Sequence, residues 1–196
     1  MVADFPQVDQ RAAVCHAQWR KKHPSAKEST LQIRTQKTHT AGNIELLRDE
    51  ILDGRKYRIA PVVGLLEGVH NKEFVSYDEI AVFPEAWSGR PLPINHPSDD
   101  NGQPITANSP KVMQSSVVGF LFNVVAREDL RGISGELWID VDKAASVPGG
   151  TEALEKINSG EGLEVSTAYY TFTDNVPGEW MNTKSGKAEA IDGTQT

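Results

Sequence analysis

The stretch Val117-Val118-Gly119-Phe120-Leu121-Phe122-Asn123-Val124-Val125, followed beyond Arg127 to Gly132 by Ile133-Ser134-Gly135-Glu136-Leu137-Trp138-Ile139-Asp140-Val141, decides the fold class. Both runs are rich in β-branched and aromatic residues and are separated by turn-type residues, so they read as an antiparallel hairpin. Upstream, Tyr57 to Leu66 has the same character but is broken by Pro61 and Gly64, which indicates a strand with an irregularity or an edge position. Downstream, Leu154 and Ile157 give Thr151 to Asn158 a helical spacing, with Gly160 placed to end the helix. Leu163 to Phe172 then reads as a strand in which Leu163, Val165, Thr167 and Tyr169 alternate with Glu164, Ser166, Ala168 and Tyr170. Ser166 and Glu164 therefore share a face. Ser76, followed by Asp78 and Glu79, caps a short helix before Pro84. This order predicts an α+β fold, a mainly antiparallel β-barrel or sheet with a few short flanking helices.

The flanks read differently. Val8, Ala12, Cys15 and Trp19 fall on one helical face, so residues 1–22 are expected to form an amphipathic helix, with Pro24 suited to end it. Residues 23–42 are polar, without a sustained period, and read as a linker. The main domain is expected over residues 43–174, and residues 175–196 read as a polar, turn-rich tail. Within the domain, Pro91-Leu92-Pro93-Ile94-Asn95-His96-Pro97 is expected to be extended, because residues before proline are pushed out of the α region. His96 then stands at the end of an extended stretch. Ser98 to about Met113 reads as a long polar loop of the kind that binds or covers a site.

The chain has 196 residues, enough for one globular domain with short appendages. Its formal net charge of −7 argues against binding nucleic acid by phosphate neutralisation, which needs a clustered Lys/Arg footprint. The only basic cluster, Arg20-Lys21-Lys22, is equally the favourable basic end of a helix. One cysteine, Cys15, permits neither an internal disulfide nor a thiolate-rich metal site. There is no signal-peptide pattern, no apolar run long enough to span a bilayer, no glycine-rich nucleotide fingerprint, no phosphate loop and no helical His pair. A soluble intracellular protein without cofactor, metal, nucleic-acid partner or membrane is the resulting expectation.

The five histidines, His16, His23, His39, His70 and His96, are scattered, and Ser166 lies in Glu164-Val165-Ser166-Thr167-Ala168 rather than in a Gly-x-Ser-x-Gly elbow. Taken singly, Ser166 reads as an ordinary strand serine. The order of the pieces says more. Asn95-His96-Pro97, then Gly119 to Asn123, then Gly135-Glu136-Leu137-Trp138-Ile139, then a helix, then Glu164-Val165-Ser166 resembles the head-maturation (prohead) proteases of tailed bacteriophages. The resemblance is to a phage-encoded branch with a His-Pro motif and a Glu-Val-Ser motif, and it covers about residues 57 to 174. Phe5-Pro6, Gln10-Arg11, Ala13-Val14-Cys15 and Trp19 also look like a short helical segment of phage structural-gene products.

Those proteases resemble the herpesvirus assemblins, which implies a small β-barrel surrounded by helices and a Ser-His catalytic pair. Carried over by motif, Ser166 matches the nucleophile and His96 the base. A serine hydroxyl needs a histidine within hydrogen-bond reach to take its proton during attack on a carbonyl and return it to the leaving amine. The resemblance also implies a further histidine or acidic residue after the nucleophile, in a strand beyond this chain's last residue. No histidine follows Ser166, so the chain reads as truncated relative to that pattern. Glu164, Asp140, Asp142 and Asp174 are candidate substitutes, each also explained as a solvated or hairpin-edge carboxylate. His70, in a Gly-x-His-Asn turn, reads as a surface residue.

The implied function is a serine endopeptidase that cleaves scaffold and major capsid protein segments, and itself, within assembling proheads in the host cytoplasm. A homodimer is implied by the same resemblance. The competing expectations are a non-catalytic capsid assembly or scaffold protein keeping the protease fold, and a tail or baseplate structural protein.

Overall fold

The computed structural model describes residues 32–39, 47–182 and 185–195, the first of these as backbone. In chain order the strands begin with β1 (Gln32–His39), β2 (Arg48–Leu52) and β3 (Arg55–Leu66). Next come β4 (Gly68–His70), β5 (Glu73–Val75), helix α1 (Tyr77–Ala81) and β6 (Arg90–Pro93). Helix α2 (Pro110–Ser115), the hairpin β7 (Val117–Arg127) and β8 (Gly132–Asp140), and helices α3 (Val141–Ser146) and α4 (Gly150–Ser159) follow. The described chain closes with β9 (Glu164–Thr171), β10 (Gly178–Asn182), β11 (Lys187–Ile191) and β12 (Gly193–Gln195).

The expected hairpin is central: β7 and β8 pair antiparallel within a five-stranded sheet of order β2-β3-β8-β7-β6. Its alternation puts Val118, Leu137 and Ile139 on the face covered by α3 and α4, where Ala144, Val147 and Ile157 complete a buried cluster. On the same sheet Trp138 meets both Tyr57 and Phe122, with ring centroids 6.0 and 5.9 Å away. A second cluster joins Leu65, Val75, Ile80, Val124 and Ile133, with Trp87 and Tyr169 packed against it. The fold is thus α+β with antiparallel sheets and short helices, and the barrel alternative does not hold. Among the described residues, the outer strands β2 and β6 do not pair with each other.

β3 carries the expected irregularity, a register shift between Val63 and Leu65. It is an interior strand rather than an edge, yet β2 pairs only with Arg55–Ile59 and has ended before Pro61 is reached. Ser76 caps α1 by accepting from the Glu79 amide at 3.2 Å, and Gly160 ends α4 in the left-handed region at φ 75°.

Four expectations are corrected. The stretch read as linker contains β1, paired antiparallel with β9, because the β-branched Ile33, Thr35 and Thr38 suit a ladder despite their polar neighbours. Residues 175–196, read as a tail, contain a hairpin of β10 and β11, and β12, which lies parallel to β5. The extended reading of Pro91–Pro97 fails at Asn95, whose φ is 63°. The proline restriction acts on Arg90, Leu92 and His96, and leaves Asn95 free to turn. The polar loop from Ser98 is partly organised: Ser98 bridges Pro104, Asp99 Oδ1 accepts from the Asn101 and Gln103 amides, and α2 begins at Pro110. The helix expected over residues 1–22 lies outside the described residues.

Candidate functional site

β9 brings Ser166 into the fold from one side. Val165 packs against the α3/α4 cluster and Tyr169 against the second cluster, and Thr167 Oγ1 donates to the Gly64 carbonyl at 2.6 Å. Those three residues share one face of the strand, so Ser166 belongs to the other face, with Glu164 and Ala168. In the β1–β9 ladder Ser166 stands opposite Lys37 and Glu164 opposite His39. The Ser166 hydroxyl is buried and, among the described residues, has no hydrogen-bond partner. Buried polar groups are normally paired, so such an atom requires an explanation.

His96 enters from the end of β6. Its neighbours are fixed: the Ile94 amide donates to Ser116 O at 2.9 Å and the Ile105 amide to Pro97 O at 3.0 Å. Between these anchors the left-handed Asn95 turns the chain, and the imidazole is exposed. Ile94 and Val165 pack against the same cluster, so the segments bearing the two candidate residues border one core. The side chains are not brought together, however. No hydrogen bond joins His96 to Ser166 Oγ.

The acidic candidates are placed as follows. Asp140 is largely buried and caps α3, Oδ1 accepting from the Lys143 amide at 2.9 Å, while Oδ2 lies 3.2 Å from Arg55. Both its oxygens are therefore engaged in holding a helix start and an ion pair. Asp142 is exposed in the first turn of α3, beside an open cleft of about 310 Å³ lined by Arg55, Asp140 and Lys143. Asp174 Oδ1 accepts from the Val176 and Thr194 amides, and Glu164 is exposed. His70 is not a free surface residue. It is half-buried with Nε2 2.9 Å from the Leu66 carbonyl, and its burial pushes the imidazole pKa below the usual value.

No protein-family model, curated protein or solved structure matches the chain.

Two polar networks were not foreseen. On the five-stranded sheet Glu136 accepts two hydrogen bonds from Arg48, at 2.7 and 2.9 Å, and others from Asn123 and Trp138. The Arg48 guanidinium, acting against partial burial, holds this carboxyl down at about 2. The second network is buried: Gln195 Nε2 donates to Glu73 Oε2 at 2.8 Å, and the Tyr169 hydroxyl donates to Gln195 Oε1 at 3.0 Å. Glu73 and Gln195 are 122 residues apart in sequence, so no local spacing could have linked them. Among the described residues there is no group of His, Cys, Asp and Glu suited to holding a metal ion, and no helix is long and apolar enough to cross a membrane.

Proposed function

We propose that the chain is a serine endopeptidase of phage head maturation, with Ser166 as nucleophile and His96 as base. The observation that carries this reading is the Ser166 hydroxyl, a buried polar atom without a partner at the position where the ordered motifs call for a nucleophile. In the reaction, His96 takes the hydroxyl proton as Oγ attacks the scissile carbonyl. The tetrahedral oxyanion then collapses to an acyl-enzyme as His96 protonates the leaving amine, and water completes hydrolysis by the same route. The chemistry requires Ser166 Oγ and a His96 ring nitrogen to approach to about 3 Å, with catalytic contacts that tighten only when substrate is bound. The substrates would be major capsid protein and scaffold segments inside the assembling prohead, in the host cytoplasm.

A specific observation favours a second reading. Because His96 is exposed and not bonded to Ser166, the chain could serve as a non-catalytic capsid assembly protein with the same architecture. Co-expression with the cognate capsid protein separates the two. The protease reading expects cleavage that Ser166→Ala and His96→Ala abolish, and fluorophosphonate labelling at Ser166. Capsid binding without cleavage or labelling would establish the second reading.

A further inference from the structure

β12 is held from both sides. It runs parallel to β5, with Gly193, Thr194 and Gln195 opposite Glu73, Phe74 and Val75. On its other side Gln195 bridges Thr173, the Asp174 amide donates to Thr194 O at 3.1 Å, and Asp174 Oδ1 accepts from the Thr194 amide at 2.8 Å. Thr173 and Asp174 lie just past the end of β9 at Thr171. A Cβ on Gly193 would lie 2.5 Å from Thr173 Cγ2 and 2.9 Å from the Asn175 nitrogen, so only glycine permits this approach. The last described strand is thereby wedged between β5 and the continuation of the strand that bears Ser166.

At the inner end of the wedge sits Gln195, 2% exposed. A carboxylate can only accept, so the amide nitrogen of Gln195 must face Glu73, which is 7% exposed. The carbonyl oxygen is then the atom that accepts from Tyr169, three residues beyond Ser166. Neither a glutamate nor an apolar residue of the same size can serve both neighbours at neutral pH. A glutamate would set two carboxylates against each other, and they could coexist only by sharing a proton. Leucine would offer neither donor nor acceptor. The Tyr169 ring is further fixed edge-on to Trp87, with centroids 6.1 Å apart.

We propose that Gln195 is a positioning residue for β9: its carboxamide ties the Tyr169 hydroxyl to the buried Glu73 carboxylate, so that β12 sets the placement of the strand carrying Ser166. The consequence for Ser166 rests on the protease reading, whereas the clamp itself does not.

The test is amide hydrogen exchange of the segment 164–171 in the full chain, each variant compared with wild type at the same pH. Gln195→Leu is expected to speed exchange about tenfold, as loss of a buried hydrogen bond to a charged group implies, and Tyr169→Phe about fivefold. Unaltered exchange in Gln195→Leu would overturn the proposal, since Gln195 would then act by filling space. Unaltered exchange in Tyr169→Phe would overturn it too, and that variant serves if Gln195→Leu does not fold. Fluorophosphonate labelling, measured in parallel, should slow in the variants whose exchange rises. If wild type itself is not labelled, the protease reading falls, while the clamp is still decided by exchange.

Discussion

Replacing Ser166 by alanine should stabilise the protein. Its Oγ is buried and lacks a hydrogen-bond partner among the described residues, and enclosing a hydroxyl in that state costs roughly 1–3 kcal/mol. Removing the oxygen leaves a void smaller than a methyl group, which costs less than about 1 kcal/mol. The net expectation is a gain of about 1 kcal/mol, or a thermal midpoint raised by about 2–4 °C for a domain of this size. Urea unfolding followed by tryptophan fluorescence measures it, provided the slope of the transition is unchanged. Thr167→Val is the matched control. It deletes the neighbouring hydroxyl, which does have a partner, the Gly64 carbonyl at 2.6 Å, and should destabilise by about 1 kcal/mol. A Ser166→Ala variant less stable than wild type by a similar amount would refute the reasoning, since the hydroxyl would then be bonded in solution. A gain in stability joined to loss of labelling is the trade-off expected where a reactive group is held at a cost.

Three other outcomes follow from the packing and the charges. Glu136 has its folded carboxyl lowered to about 2 from the ordinary 4.5, so its contribution is present above about pH 4.5 and lost as pH falls through the folded value. With Arg48 exposed to solvent screening, Glu136→Gln should cost about 1.5 kcal/mol at pH 7 and close to nothing near pH 2, read from denaturant titrations at each pH. Gly119→Ala should cost about 3 kcal/mol or prevent folding, since the new Cβ would lie 2.1 Å from the Trp138 carbonyl oxygen, a backbone atom that cannot move without parting two strands. Expression level and thermal midpoint report this directly. Asp140→Ala should cost about 1–2 kcal/mol by removing the cap of α3 and the Arg55 partner, measured by chemical unfolding.

The parts of the fold that read clearly in the sequence are those whose own residues supply the driving force. Val117–Val125 and Ile133–Ile139 carry the apolar faces that make a central hairpin, and Ser76 and Gly160 mark helix ends by local backbone chemistry. What could not be read depends on distant partners. The ladder of β1 is completed by β9, and β12 is polar because its value lies in hydrogen bonds to Asp174 and Glu73 rather than in an apolar face. α3 was hidden because Ile139-Asp140-Val141 continues the strand pattern. Asp140 as a cap was the available signal. For the candidate site, the motifs picked out Ser166 and His96, but neither the burial of the hydroxyl nor the exposure of the imidazole follows from residue type. His70 shows the same limit, since a Gly-x-His-Asn turn gives no sign of the Leu66 carbonyl that holds its ring.

The wedged strand bears on how the chain reaches this structure. The hairpin of β7 and β8 closes a short loop and can form early, but β5, paired locally with β4 on one edge, must wait on its other edge for β12, whose Gln195 lies 122 residues beyond Glu73. Closing so long a loop carries a large entropic cost that only late contacts repay, and topologies rich in such pairings fold slowly. During synthesis Glu73 would leave the ribosome long before Gln195 exists. Until then its carboxylate must stay in water, and β5 presents an open edge to neighbouring chains. The order of translation thus makes residues 193–195 the step that ends the exposure of that edge.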